Sequence, residues 1–243
     1  MSKKLCIDII LSLGLACRPA EQLKVNKLRF LSSPLDWMMS YSLETAVHLF
    51  KTKFETFFQI KEIVPDNLHY IHVKDAVNNV NSIHHFPLDK DIEDFYNTTF
   101  RPVMLRRFDT VNSFITHSKH IAFIFNRDEE TQRITNTLHE FGEIYPNKNI
   151  TFINIRSGAQ PKTHDICRLK LSPQLTFEEH YIDDTHKDGD HTTGNTAWWV
   201  GNEEMWHEIL SNIKLSWRSK VLHCFYKIQR KYSEIQVLDR DLK

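Results

Sequence analysis

One cysteine in this 243-residue chain stands where a thiol could act as a nucleophile. Cys17 follows the apolar run Cys6–Leu13, which is typical of a buried strand in a parallel sheet, and precedes Pro19, a residue suited to a first helical turn. Unpaired N–H groups and the dipole at a helix start stabilise a thiolate, and Arg18 adds positive charge. The pattern predicts a reactive thiol; the alternative is a small apolar filler.

Two neighbouring histidines supply candidate bases for that thiol. His84 and His85 lie in a short strand or loop that ends at Pro87, and either imidazole could accept the thiol proton. Asp36, in the segment Ser33–Trp37, could orient the imidazole, as a carboxylate does in a nucleophilic triad. The alternatives are two surface histidines and an aspartate that caps a helix.

Other polar and aromatic residues fall where a substrate would bind. Ligands of open α/β sheets bind beyond the carboxyl ends of the strands, so residues just after predicted strands are candidates. The predicted substrate-binding residues are Ser12, Gly14, Trp37, Arg106, Arg107, Arg127 and Arg156. An arginine can hold an anionic group with two parallel hydrogen bonds, although adjacent arginines more often face solvent. Backbone N–H groups after the glycine are candidates to stabilise an oxyanion.

The patterns of common metal and cofactor sites are absent from the sequence. The four cysteines lie far apart, without Cys-x-x-Cys or zinc spacing. The sequence contains neither a Gly-x-Gly-x-x-Gly dinucleotide fingerprint nor a P-loop. The tract Asp183–Asn195 is rich in aspartate and histidine but lacks the spacing of a calcium loop. We therefore predict no metal and no cofactor.

The composition and charge of the chain indicate which classes of partner and which cellular location to expect. Lys and Arg together number 31, as do Asp and Glu, and the absence of a basic excess disfavours a nucleic-acid partner. The sequence contains no run of 18 apolar residues, so we predict no membrane span. Asp8 and Arg18-Pro19 do not fit a secretory signal, and widely spaced cysteines suit a reducing compartment. We expect a cytoplasmic protein whose partner is a small-molecule, glycan or peptide substrate.

The order of predicted elements favours an α/β fold. The predicted strands are Cys6–Leu13, Ile121–Phe125, Ile150–Ile155 and Ile166–Leu171, and the amphipathic helices between and after them include Glu129–Phe141 and Asn202–Ile213. This alternation predicts a three-layer fold with a mostly parallel sheet and helices on both faces, Rossmann-like or esterase-like. We expect a single α/β domain over residues 1–213, with a C-terminal helical extension over residues 214–243 packed on it.

Several short motifs occur together in an order that resembles a known family. The motifs are Ser12-Leu-Gly-x-x-Cys17, Ser33-Pro-Leu-Asp-Trp37, His84-His85-Phe86, Arg106-Arg107-Phe108 and the segment from Trp199 to Trp206. In these the chain resembles, over most of residues 5–210, a bacterial family of unknown function described as papain-like cysteine peptidases. The resemblance implies a nucleophile at Cys17 and a histidine partner at His84. The chain departs from the family pattern at Leu35, which replaces Phe, and at His85, which replaces Asp.

The residues and the resemblance together favour a cysteine-nucleophile hydrolase or acyltransferase. An alternative implied by the resemblance is an accessory protein or transferase of surface-polysaccharide biosynthesis, holding a sugar-phosphate through Arg106, Arg127 or Arg156. A binding module without chemistry is the third hypothesis. A papain-like protein divides into a helical half with the cysteine and a β-barrel half with the histidine. Because the predicted strands and helices alternate instead, we do not expect a true papain fold.

Overall fold

The computed structural model describes residues 4–65, 69–157, 164–189 and 198–232. The strands are β1 (Leu5–Ile7), β2 (Ile9–Ser12), β3 (Met38–Met39), β4 (Lys61–Val64), β5 (Tyr70–Asp75), β6 (Val80–Pro87), β7 (His120–Phe125), β8 (Asn149–Ser157), β9 (Asp165–Lys170), β10 (Leu175–Ile182) and β11 (Ile213–Leu215). The helices are α1 (Arg18–Val25), α2 (Leu43–Lys51), α3 (Ile92–Phe95), α4 (Arg101–His117), α5 (Thr131–Ile144), α6 (Glu203–Ser211) and α7 (Trp217–Tyr232). A π-helical turn, Tyr96–Phe100, joins α3 to α4, and a 3₁₀ turn, Trp198–Val200, precedes α6.

A five-stranded sheet forms the centre of the described chain, in the order β2-β7-β8-β10-β9. Its first four strands are parallel, and β9 is an antiparallel edge strand. Alternate residues of β2, β7 and β8 enter two different cores, as period-two side chains must. In β2, for example, Ile9 and Leu11 pack with α2, α4 and α5, whereas Ile10 packs with α1 and α6. The predicted α/β class is confirmed.

A second sheet is antiparallel throughout and was not expected. Its order is β3-β6-β5-β4, so the hairpin of β5 and β6 lies at its centre. The prediction of a mostly parallel sheet therefore describes the five-stranded sheet only. The antiparallel sheet matters for function because β6 carries both candidate histidines, His84 and His85.

The predicted first strand is divided in two at Asp8. β1 pairs with β11 in a small parallel sheet, and β2 pairs with β7. The Asp8 carboxylate accepts the backbone N–H groups of Lys119 and His120 and the hydroxyl of Ser216. These three donors satisfy the half-buried carboxylate at the point where the chain passes from one sheet into the other.

The C-terminal part of the described chain begins with β11 and continues as α7. Ser216 caps α7, since its side-chain oxygen accepts the N–H of Ser219, and it also donates to Asp8. Residues 233–243 of the predicted extension and residues 190–195 of the polar tract lie outside the described residues. No helix in the described part of the chain is long and apolar enough to cross a membrane.

Candidate functional site

The turn between β2 and α1 places Cys17 at the start of a helix. Ser12 ends β2, and its buried hydroxyl oxygen accepts the backbone N–H of Gly14 at 3.2 Å. A Cβ atom on Gly14 would lie 2.6 Å from the Pro19 ring, so only glycine allows this close approach. Pro19 occupies the first turn of α1, where a missing N–H costs nothing. Cys17 is the N-cap residue of that helix.

The structure brings Cys17 and His84 together. The Sγ atom of Cys17 lies 3.6 Å from Nε2 of His84, within hydrogen-bonding reach of a sulfur. Between Ile71 and Val73 the pairing of β5 with β6 shifts register, and this irregularity lies opposite the two histidines. Such irregularities redirect side chains beside active sites. Here one histidine is exposed at the thiol and its neighbour is buried.

His85 takes a different place from its neighbour. It is 2% exposed, its Nδ1 lies 2.8 Å from the Ser82 hydroxyl, and its ring packs edge-on against Phe100. Burial lowers the pKa of His85 to about 3, and the charges of Arg107 and His84 act in the same direction. The ring is therefore neutral at physiological pH and contacts the core rather than the thiol.

Electrostatics at the thiol differ from the sequence-based expectation. The pKa of Cys17 is raised to about 11, chiefly by burial and also by the carboxylates of Asp36 and Glu21, against a hydrogen bond from the Cys17 backbone N–H that lowers it. The Arg18 guanidinium is directed elsewhere, with its nitrogens 2.5 Å from Asp184 and 2.7 Å from a backbone carbonyl. The predicted thiolate is thus replaced by a neutral thiol at pH 7.

The imidazole facing this thiol is neutral as well. Partial burial of its ring holds the pKa of His84 below its ordinary value of 6.5. At pH 7 the pair therefore consists of a protonated sulfur and an unprotonated imidazole nitrogen 3.6 Å apart. This is the arrangement needed for the imidazole to act as a general base.

Asp36 is buried close to the thiol, and its hydrogen bonds hold the loop beside it. Its carboxylate accepts from Nε and Nη2 of Arg29 at 3.0 and 2.8 Å, and from the Ser33 backbone N–H at 2.9 Å. All three bonds join Asp36 to residues of its own loop. The hydrogen bond that the structure describes for the His84 side chain is to Cys17. Orientation of the histidine by Asp36 stays a prediction.

Two tryptophans, Trp37 half-buried and Trp199 exposed, form an aromatic pair near this corner. The rings of Trp37 and Trp199 meet edge to face at a centroid distance of 6.3 Å, and the Arg29 guanidinium lies 5.9 Å above the Trp37 ring. The Trp199 carbonyl accepts from Arg18, the residue next to the cysteine. Trp37 has a φ of +67°, a left-handed conformation that is uncommon for a bulky side chain and frequent at functional sites.

The predicted substrate-binding arginines lie in two other places. Arg106 and Arg107 are in α4, and the buried Arg107 lies near His85. The Arg127 side chain is 1% exposed and donates to Glu129 and to the Tyr41 carbonyl. The described bonds of Arg127 thus join it to its own loop and to Tyr41, which precedes α2.

Arg156 is likewise bonded within the protein. Its guanidinium binds the buried Glu179 at 3.0 Å and donates to the carbonyl oxygens of Asp128 and Glu129. Both strand-end arginines thus hold the carboxyl edge of the parallel sheet together. Their described bonds provide no support for a sugar-phosphate ligand.

Several residues around the thiol were not identified from the sequence. Asp184 is 4% exposed and accepts from Arg18, from the Trp206 indole and from the Asn202 backbone N–H. It ties the segment from Trp199 to Trp206 to the cysteine corner. Arg29, the partner of Asp36, carries no distinguishing sequence signal.

Among the described residues, no group of three or more histidine, cysteine, aspartate or glutamate side chains is arranged to hold a metal ion. The part of the polar tract that the structure describes uses its buried carboxylate, Asp184, for protein hydrogen bonds.

Comparison with known proteins places the chain in a family. A family model described as "putative papain-like cysteine peptidase" matches residues 8–175, more than half of the chain. Searches of curated proteins and of solved structures found no match. Cys17, Asp36 and His84 lie inside the matched range, whereas Trp199 lies beyond it. The chain therefore belongs to the family that carries this description.

Proposed function

We propose that the protein is a cysteine-dependent acyl-transfer enzyme, a hydrolase or acyltransferase, with Cys17 as nucleophile and His84 as general base. The observation that carries the proposal is the 3.6 Å separation of Sγ and Nε2 at a helix start. A plain binding module would have no need of a thiol and an imidazole in contact at the surface. Family membership supports the same assignment.

The proposed reaction begins from two neutral groups. Sγ attacks the carbonyl carbon of the acyl substrate while Nε2 of His84 accepts the thiol proton. The carbon–oxygen or carbon–nitrogen bond to the leaving group then breaks, and the imidazolium returns the proton to that group. The resulting thioester passes its acyl group to water or to another acceptor. Proton transfer at the moment of attack avoids forming a thiolate beside Asp36 and Glu21, which disfavour it.

The start of α1 supplies candidate stabilisers of the oxyanion. The first backbone hydrogen bond of the helix runs from Glu21 N–H to Cys17 O. The N–H groups of Arg18 and Ala20 precede that bond, in the part of a helix whose N–H groups have no partner within it. They are thus available to a negative charge that develops on the substrate oxygen next to the sulfur.

The tryptophan pair beside the corner is assigned to substrate contact. Trp37 and Trp199 present ring surface beside the corner, and aromatic surface binds acyl chains, sugar rings and peptide side chains alike. The assignment leaves the substrate class as predicted: a small molecule, a glycan or a peptide.

We also propose a three-layer core for the five-stranded sheet, since its two faces contribute to two separate cores. In this arrangement the cysteine belongs to a helix start and the histidine to an antiparallel sheet. That division matches the papain-like description, while the sheets differ from a β-barrel half.

A single domain over residues 1–213 and a cytoplasmic location stay predictions.

The pH dependence of acylation tests the neutral pair. With p-nitrophenyl acetate as acyl donor, the rate of acylation at Cys17 should rise as His84 loses its proton and level off above about pH 6.5, because the pKa of His84 lies below that ordinary value. Nitrophenol release, corrected with Cys17→Ala protein, measures the rate. A rate that keeps rising about tenfold per pH unit from pH 7 to 9 would show direct attack by a rare thiolate and contradict the general-base role.

A further inference from the structure

Two arginines near the cysteine corner are each bound to a buried carboxylate. The guanidinium of Arg18 lies 2.5 Å from Asp184 and also donates to a backbone carbonyl. The guanidinium of Arg29 donates through Nε and Nη2 to Asp36, at 3.0 and 2.8 Å. The two carboxylate side chains are 2% and 3% exposed. A substrate anion that took either guanidinium would leave a buried carboxylate without its partner, which is strongly unfavourable.

A third ion pair lies on helix α1. The Nζ atom of Lys24 is 3.0 Å from Glu21, and the two side chains are 59% and 15% exposed, so the carboxylate is the more enclosed member. Arg107, which lies near the buried His85, is 9% exposed. In the part of the chain that the structure describes, each of these cations is therefore paired or buried.

The charges that act on the sulfur are negative. Burial raises the pKa of Cys17 most, and the carboxylates of Asp36 and Glu21 raise it as well. Among the described groups, neither Arg29 nor Lys24 lowers it, so in each of these two pairs the carboxylate has the larger effect at the sulfur. An anionic acyl group placed at the sulfur would be repelled by the same two carboxylates.

The aromatic surface beside the thiol suits uncharged and cationic groups. Trp37 is half-buried, Trp199 is 37% exposed, and their rings meet at a centroid distance of 6.3 Å. The Arg29 guanidinium already lies 5.9 Å from the Trp37 ring centroid. An indole ring packs against apolar groups and attracts a cation to its negative face, whereas that face repels an anion.

We propose that this site takes acyl donors whose acyl group is uncharged or positively charged, and that it discriminates against anionic acyl groups. The inference rests on the proposed acyl transfer by Cys17. Two features support it together: the cations around the thiol already hold carboxylates, and the open surface beside it is aromatic. The site thus favours a neutral acyl chain, or a peptide with neutral or basic side chains, over a phosphorylated or carboxylated donor.

Three p-nitrophenyl esters test the proposal, since they share a butanoyl chain and differ only in the group on its last carbon. That group is trimethylammonium in the cationic ester, tert-butyl in the neutral ester and sulfonate in the anionic ester. Each rate of acylation at Cys17 is divided by the rate of the same ester with mercaptoethanol, which corrects for intrinsic reactivity. In low salt the anionic ester should react at least about tenfold more slowly than the neutral ester, and the cationic ester at least as fast as the neutral one.

Glu21→Gln tests whether the carboxylates near the sulfur cause the discrimination. It should raise the ratio of the anionic to the neutral rate about two- to threefold, because one of the two repelling charges is gone. Taking the ratio cancels any change in the reactivity of the thiol itself. The matched control is Glu44→Gln, since Glu44 is also an ion-paired residue in a first helical turn but is not among the charges that act on Cys17. The control should leave the ratio unchanged.

The outcomes separate this inference from the function on which it rests. Equal corrected rates for the three esters, or a faster reaction of the anionic ester, would overturn the inference while leaving acyl transfer by Cys17 in place. A ratio that Glu21→Gln leaves unchanged, or that the control raises as much, would also contradict it. If none of the three esters acylated Cys17, the proposed function itself would be wrong, and the inference with it.

Discussion

Replacing His84 with alanine should slow the acylation of Cys17 by p-nitrophenyl acetate about 10²–10⁴-fold at pH 7.5, the usual contribution of a positioned general base. The reason is the protonation state of Cys17 and His84 before the reaction. Because burial and two carboxylates raise the pKa of Cys17 to about 11, few thiols are ionised at neutral pH without a proton acceptor. The only described side-chain bond of the thiol is to the imidazole that this variant removes. The burst of nitrophenol measures the rate.

Two controls separate proton transfer from general damage. His139→Ala removes an exposed histidine from α5 and should leave the rate unchanged. Added imidazole should partly restore the His84→Ala variant, because the site it vacates is exposed. His85→Gln should affect stability, through Ser82 and Phe100, while folded protein keeps its acylation rate. An equal loss in the two variants of the histidine pair would contradict the assignment of the base.

Replacing Asp36 with asparagine should lower the free energy of unfolding by about 3 kcal/mol. Breaking a buried ion pair leaves its partner charge uncompensated, a loss of about 3–5 kcal/mol in buried sites. The side chains of Asp36 and Arg29 are 3% and 18% exposed, so the lower end of that range applies. The asparagine side-chain oxygen can still accept from the Ser33 backbone N–H, so the expected loss comes from the ion pair. Urea denaturation of the folded proteins measures the difference.

The matched control for this change is an exposed ion pair. Glu44 and Arg133 are bonded at 2.9 Å, but their side chains are 42% and 60% exposed. Glu44→Gln should therefore cost at most about 1 kcal/mol. If Asp36→Asn costs no more than this control, the pair with Arg29 does not hold the loop beside the thiol as described. In the folded Asp36→Asn protein the pKa of Cys17 should fall, since one of the nearby negative charges is gone.

The cysteine corner could be predicted because its signals are local. A short apolar run, a glycine and a proline in a first helical turn specify a strand, a turn and a helix start within fifteen residues. The strands β7 and β8 and the helix α5 were likewise clear, from buried runs and an amphipathic period. The histidine that meets Cys17 lies 67 residues away, so its choice depended on the resemblance to a family.

Features that depend on distant partners could not be predicted. β10 was missed because Glu178 and Glu179 interrupt its apolar pattern, yet Glu179 is fully buried and accepts from Asn154, Thr131 and Tyr181. The antiparallel sheet was not predicted because it pairs β3 with β6, two segments that lie far apart in the sequence.

The raised pKa of Cys17 could not be predicted from the sequence either. A helix start and an adjacent arginine predicted a lowered pKa for Cys17. In the structure, Arg18 turns to Asp184, and Asp36 approaches the sulfur from a loop that its pair with Arg29 holds in place. Which charge reaches a group depends on where each side chain is anchored, and those anchors are residues remote in sequence.

Locating the acyl group after brief reaction with p-nitrophenyl acetate tests the central claim most directly. Peptide mapping by mass spectrometry should find the acetyl group on Cys17, ahead of the exposed Cys6 and Cys224, although burial raises the pKa of Cys17 above its ordinary value. Exposure alone would favour reaction at Cys6 and Cys224, so faster acetylation of Cys17 requires activation of its thiol by the imidazole. Acetylation of Cys6 or Cys224 at a rate equal to or above that of Cys17 would contradict the account.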